Sequence, residues 1–298
     1  LADLNLINLE TSVTDNSTPW PDKVFNYRMH PDNIQCLKEA RINYASLANN
    51  HTLDFETEGL LETVRTVKKS GIAFAGAGES REEAHRPAEL LLENHNEDAY
   101  YLVHVYSASD HPGDWASVPN FHLIDYSPET RSRLKDMLTS APSQPDFKIF
   151  SVHWGPNYAW APSNNIQSLA HFLIDECGVD LIHGHSSHHI QGVEVYKGKL
   201  IVYGCGDLVD DYAINTTYRN DLSGIWKVRL EETQEEKLEV RALELYPTRI
   251  KRFQTNLIKR NDPDHAWVHS KFQQLCRGLG TEVERKFGDD GQILVHIS

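Results

Sequence analysis

Short apolar runs rich in Val, Ile, Leu and Tyr recur from the N-terminus to about residue 203: 3–9, 42–48, 72–75, 100–106, 147–152, 179–182 and 200–203. Their length and their β-branched and aromatic content predict strands. Between them, over 54–69, 128–138 and 166–177, apolar residues return every three or four positions, the spacing of a helix with one buried face. In the first of these, Asp54 is placed to cap the opening turn, and Lys68, Lys69 and Gly71 form the stop. Strands alternating with helices predict an α/β fold.

After residue 224 the texture changes. "GIWKVRL" and "KLEVRALELYP" read as strands joined by the acidic turn "EETQEE". A helix is predicted over 264–279, and "TEVERKF" and "QILVHIS" about "GDDG" predict a hairpin. With no repeat, low-complexity tract or long linker, the expected organisation is one domain over residues 1–256. Residues 257–298 would form a small helix and hairpin packed on it. The chain opens directly on strand-like "LADLNLINLE". A first strand is therefore expected upstream of residue 1, or else a partner covering the open sheet edge.

With 298 residues, 40% of them hydrophobic, there is material for a sizeable core, and no stretch of about 18 apolar residues suggests a membrane span. Forty-three acidic residues against twenty-nine basic give a net charge of -14, which repels nucleic-acid phosphates and acidic lipid headgroups. An anionic substrate would need cations inside a cleft, and a metal ion would supply them. Cys36, Cys177, Cys205 and Cys276 form no CxxC pair, so neither a zinc ribbon nor a disulfide scaffold is indicated. Glycosylation sequons at Asn16, Asn50 and Asn215 would count only in a secreted chain, and the compartment is left open.

The strongest chemical signal is "DLIHGHSSHHIQG", where His183, His185, His188 and His189 fall within seven positions at the end of a predicted strand. Neutral imidazole is the commonest nitrogen ligand for transition metals, so a metal site is the reading preferred over a solvated His-rich loop. Three other strand ends also carry polar groups: Glu10 after Leu9, Asn49, Asn50 and His51 after Ala48, and His153 after Val152. In α/β sheets ligands gather at the carboxyl ends of strands, where such scattered residues can converge. A carboxylate, an amide oxygen and several imidazoles suit Mn, Fe or Zn, as one ion or as a pair sharing a carboxylate. Among nearby aromatic residues, Tyr44 and Tyr203 are expected in the core, whereas Tyr158, Trp160 and Tyr212 can line a cleft with Trp154. Asp207, Asp210 and Asp211 could bind a cation or substrate amines, or cap and solvate a surface.

Four blocks, "NLETSV", "SLANNHTLD", "VHWGPNY" and "HGHSSHHIQGVEVYKGKLIVYGCGDLVDDY", together with a tail of "LGTEV" and "DGQILVHI", resemble the CapA family of poly-γ-glutamate and capsule synthesis proteins, itself similar to calcineurin-like metallophosphoesterases. The resemblance implies that superfamily's fold, mixed β-sheets sandwiched and flanked by helices. It implies Glu10 as a metal-bridging carboxylate, Asn50 as an amide ligand, and His153, His185 and His188 as imidazole ligands. His51 matches the histidine that faces the leaving group, and His183 and His189 would support the others. Asn49, Tyr158, Trp160, Ser186 and Ser187 are the candidate substrate contacts. Three departures stand out. The "GDxM"-like segment that precedes the Glu10 block in the family has no counterpart, the final "GHxH" spacing is stretched to Gly184, His185 and His188, and "PNY" follows the HWG block where an acidic residue is frequent.

Such a site predicts metal-assisted hydrolysis: a bound divalent ion lowers the pKa of its water toward about 7, and His51 protonates the leaving group. A phosphoester is the natural substrate. Two alternatives are a factor that makes, exports or cleaves a γ-glutamyl polymer, and a non-catalytic binding protein that has lost one metal site.

Overall fold

The computed structural model describes residues 2–94, 99–210, 213–235 and 237–297. The chain is mixed α/β and divides into two compact units that meet in sequence between His153 and Trp154.

In the N-terminal unit, strands Leu6–Asn8, Tyr44–Ser46 and Ala73–Ala75 form a parallel sheet, with Ile7 opposite Ala45 and Ala45 opposite Phe74. Parallel strands need crossovers, and helix Glu56–Lys69 provides one; Leu60, Val64 and Val67 are fully buried on its inner face. These three pack in one core with Leu9, Leu47 and Leu53, and with Trp115 from the short 3-10 helix Gly113–Ser117. Strand Ala99–Ser109 pairs antiparallel with Ala88–Asn94 and parallel with Phe147–His153. The Ala88–Asn94 strand, with buried Ala88 and Leu90 alternating with exposed Glu89 and Leu91, lies outside the strands expected from the sequence. Helix Pro128–Thr139 opens on Ser127, whose hydroxyl accepts from Thr130 N–H at 3.1 Å.

The helix at Glu56–Lys69 starts later than its sequence suggests. Phe55 occupies the cap position with no side-chain hydrogen bond, and Asp54 does not cap. Its carboxylate is drawn away by Tyr27 N–H at 2.6 Å, by Lys23 and by His51, three partners that an exposed cap could not offer.

In the C-terminal unit, helix Asn164–Cys177 is capped by Ser163 and ends on left-handed Gly178, φ 67°. Strand Leu181–His185 follows, parallel to Lys199–Val202, which turns back antiparallel onto Val193–Tyr196. Strands Leu222–Glu232 and Leu238–Lys251 make the long hairpin expected about "EETQEE", of which residue 236 lies outside the described residues. The C-terminal helix is Pro263–Arg277, capped by Asp262. Arg249 reaches back to Asp262 at 2.8 Å and Asp264, and Arg219 reaches Asp264 at 3.1 Å, tying that helix to the sheet.

The predicted terminal hairpin takes a different form. Its limbs meet through Glu284 N to Leu294 O and Gly288 N to Gln292 O, both 2.9 Å, yet only Ile293–His296 is a strand. That strand's ladder is with Leu238–Lys251, where Val295 lies opposite Leu243. Val295 and Ile293 are buried there, which a free two-stranded hairpin could not achieve. All four cysteines are free thiols, and no helix among the described residues is long and apolar enough to cross a membrane.

Candidate functional site

The sequence-predicted site residues divide between the units: Glu10, Asn49, Asn50, His51 and His153 in the first, and Tyr158, Trp160, His185, Ser186, Ser187 and His188 in the second. Each group sits where its strand stops.

In the N-terminal unit, Glu10 and His153 are brought together from the ends of two sheets, with Glu10 Oε2 3.9 Å from His153 Nδ1. Asn8 holds that same oxygen, donating to Glu10 Oε2 at 2.8 Å. Asn49 is fully buried and works inside the fold. Its amide hydrogens go to Asn8 Oδ1 and Leu9 O, both at 2.9 Å, and its oxygen accepts from His51 N and Thr52 Oγ1. This joins two strand ends and leaves Asn49 no amide hydrogen for a ligand. Asn50 is the opposite case: its side-chain oxygen is buried with no hydrogen-bond partner. A buried amide oxygen without a donor is costly in an empty fold and suits a cation's coordination shell.

His51 is 4% exposed and fixed on three sides. Asp54 Oδ2 lies 2.5 Å from its Nδ1, Lys23 Nζ lies 3.2 Å from the same nitrogen, and the Tyr27 ring sits 4.4 Å from the imidazole. Lys23 also bridges to the Asn50 carbonyl and Asp54. Burial pulls the Lys23 ammonium below its ordinary value, and the charges of Asp54 and Glu10 oppose that shift. With Nδ1 committed to Asp54, the exchangeable proton of a neutral-to-charged cycle resides on Nε2.

A further histidine joins from the loop after Ala99–Ser109. His111 lies 4.9 Å, ring to ring, from His153, and its Nδ1 pairs with Asp110, which accepts from Tyr126 O–H at 2.5 Å. Burial, with the Asp110 charge beside it, pushes the Tyr126 phenol well above its usual range, so it stays a donor. Lys23, Tyr27, Asp54, Asp110 and His111 escape a reading by strand ends because all lie in loops, where only "HTLD" hints at a His–Asp pair.

In the C-terminal unit the histidine stretch resolves into distinct roles. His189 is fully buried, donates from Nδ1 to Ile190 O at 2.9 Å, and accepts at Nε2 from Ala159 N at 3.2 Å. Both ring nitrogens are thus taken by backbone, and burial lowers its pKa to about 4, keeping it neutral. His188 instead directs Nδ1 at both Asp207 oxygens, 3.1 Å each. That carboxylate fixes the tautomer with its lone pair on Nε2, the arrangement that orients metal-binding imidazoles. Burial raises the Asp207 pKa to about 6 against the pull of His188. Asp207 therefore takes a positioning role, different from the cation or amine contact and from the capping or solvated acid that the sequence allows. Asp211 and Tyr212 lie outside the described residues.

Gly184 makes the stretch possible, since a Cβ there would fall 2.3 Å from Tyr203 O and 2.5 Å from Val202 O. Ser186 turns the chain at φ 102°, with its hydroxyl on Gly155 O at 2.8 Å, and Ser187 donates to His189 O at 2.9 Å. Tyr158 and Trp160 flank the histidines: Tyr158 lies 5.9 Å from His188, and Trp160 lies 4.7 Å from His189 and 4.8 Å from Tyr218. Tyr44 and Tyr203 are core residues, as expected. Among the described residues, no three His, Cys, Asp or Glu side chains are gathered in a metal-binding group.

Comparison with known proteins fixes the family. The description "Bacterial capsule synthesis protein PGA_cap" matches residues 1–212. The chain belongs to that family. A Mycobacterium tuberculosis protein named "Probable polyglutamine synthesis accessory protein" is 35% identical over 287 residues, covering 94% of this chain and 74% of the relative. The "Capsule biosynthesis protein CapA" of Bacillus anthracis is 27% identical over 64% of this chain and 45% of its own length. Among solved structures, "Putative 5'-Nucleotidase from Staphylococcus aureus in complex with alpha-ketoglutarate" aligns with 84% of this chain and 45% of that one, at 15% identity and a TM-score of 0.47.

Proposed function

We propose that this member of the capsule synthesis family is a metal-dependent hydrolase acting on a phosphoester. The observation that carries the reading is the buried Lys23–Asp54–His51 network beside the unpartnered oxygen of Asn50. A histidine held this firmly at one nitrogen is organised to deliver a proton from the other.

Glu10, Asn50 and His153 of the N-terminal unit, and His185 and His188 of the C-terminal unit, are the residues that would hold divalent ions, one or two, Mn, Fe or Zn. The chemistry such ions supply when bound is a hydroxide at neutral pH and charge compensation for phosphoryl oxygens. The chain's own residues do the remainder. His51 passes its Nε2 proton to the departing oxygen, Asp54 compensates the imidazolium that precedes the transfer, and Lys23 balances Asp54 so that the buried carboxylate does not stand alone. Within the C-terminal unit, Asp207 keeps His188 in one tautomer, and Tyr158 and Trp160 present aromatic faces beside His188 and His189.

A second reading is favoured by membership of the capsule synthesis family: the protein is a factor in the synthesis, export or cleavage of a γ-glutamyl polymer. One experiment separates them. Elemental analysis of protein purified without chelator is paired with a screen of aryl phosphates and γ-glutamyl peptides. Stoichiometric Mn, Fe or Zn with aryl phosphate turnover is the expected result. Metal with γ-glutamyl cleavage alone selects the second reading, and neither metal nor turnover removes both.

A further inference from the structure

The N-terminal unit contains a cavity of about 310 Å3 apart from the residues described above. Helices Arg81–His85 and Pro128–Thr139 contribute to its walls, together with residues 116–119 and 121–124. Its size lies at the lower end of the range for small-molecule sites. Arg81, Arg133, His85 and His122 line it, and none of its fourteen lining residues is acidic. The sign of this wall comes from Arg81 and Arg133, since burial lowers the pKa of both histidines, and in a chain carrying 43 acidic residues against 29 basic it is a local reversal of the overall charge.

The cations of this wall feel nearby acids, Arg81 the exposed Glu82 and Arg133 the Asp125 carboxylate, but are not locked in ion pairs. Among the described residues, neither Arg81 nor Arg133 has a carboxylate partner at salt-bridge distance, and Arg133 spends one donor on Thr130 Oγ1 at 2.9 Å. The nearby carboxylate Asp125 is occupied by Ser127 and Thr130. Glu82, the other acid close by, is exposed and lies outside the lining. The histidines are set in place: His85 Nδ1 donates to Arg81 O and His122 Nδ1 to Ser107 O, both at 2.7 Å, with the rings 4.3 Å apart. Leu134 and Met137 provide an apolar side to the same cavity.

We infer that this cavity is an oxyanion site: it takes a small organic molecule whose carboxylate or phosphate is held by Arg81 and Arg133 while a short apolar stem lies against Leu134 and Met137. Arginine suits the role because its planar fork meets two oxygens of either group at once. The inference stands apart from the metal reading, since no residue assigned there lines the cavity.

Calorimetric titration of the full chain with glutarate, inorganic phosphate and neutral glutaramide tests it. The expected result is one-site binding of glutarate, phosphate or both, with glutaramide silent; which of the two binds identifies the headgroup. Arg81→Gln with Arg133→Gln lowers affinity by roughly tenfold per arginine. Ser117→Glu, an exposed position on the rim, independently abolishes binding by repulsion, and His51→Ala retains it. Failure of both anions to bind, equal binding of glutaramide, unchanged affinity in both the arginine and Ser117 variants, or loss of binding in His51→Ala overturns the site.

Discussion

Asp54 Oδ2 stands 2.5 Å from His51 Nδ1, and the carboxylate is fully buried. A buried acid is tolerated only when paired, and here Lys23 and the Tyr27 amide complete the set. The pair is therefore costly to assemble and organises a single histidine.

If that organisation serves proton delivery, His51→Ala lowers kcat on an aryl phosphate by about 10²–10⁴, with metal content unchanged. Asp54→Asn causes a loss of its own, and the double variant loses no more than His51→Ala alone, because the two act as one unit. Steady-state kinetics of the three variants, alongside their thermal midpoints, checks this. Additive losses would count against the pairing as a catalytic device.

Asp207→Asn leaves His188 free to rotate and to exchange tautomers. Metal affinity is expected to fall about 10–100-fold with the fold intact. Competition with a fluorescent chelator measures it, and unchanged affinity removes His188 from the ligand set.

Burial, reinforced by the charges of His85 and Arg133, lowers the pKa of His122 to about 3. The unfolded-state value is about 6.5, so in acid the unfolded chain takes up a proton that the folded chain refuses. The stability this neutral histidine confers is full above about pH 6.5 and is lost as pH falls toward 3, at up to about 1.4 kcal/mol per pH unit. His122→Asn, which keeps a donor for Ser107 O, should show a shallower decline between pH 7 and pH 5 in urea unfolding midpoints. Parallel declines would place the protonation elsewhere.

Gly184→Ala forces a methyl against two carbonyl oxygens, Val202 O and Tyr203 O, at the end of the neighbouring strand. A loss of about 1–3 kcal/mol is expected from overpacking, read by chemical denaturation. A neutral effect would mean that the backbone there yields easily.

Much of this framework was legible from the sequence because strand ends are marked by where apolar periodicity stops. Glu10, Asn50, His51, His153 and His188 stand out that way as candidates, and the roles proposed for them rest on the family resemblance. Asp54 was misread because an acid just before a helix ordinarily caps it, and nothing local reveals that Lys23 and Tyr27 return to claim the carboxylate. Asp110 and His111 come from a loop with no periodicity at all. The terminal strand was assigned to a hairpin because adjacency in sequence is the default, whereas the buried faces of Ile293 and Val295 are satisfied only against Leu238–Lys251. Asn49 and Asn50 look alike as letters, and only the surrounding donors separate a saturated amide from an unsatisfied one.

The burial of His185, His188 and His189 bears on handling the protein at the bench. A stretch with four imidazoles in seven positions resembles an affinity tag, but in the folded chain three of them are turned inward. Immobilised nickel should therefore hold the denatured polypeptide far better than the native one, making retention on such a resin a simple gauge of whether a preparation has folded.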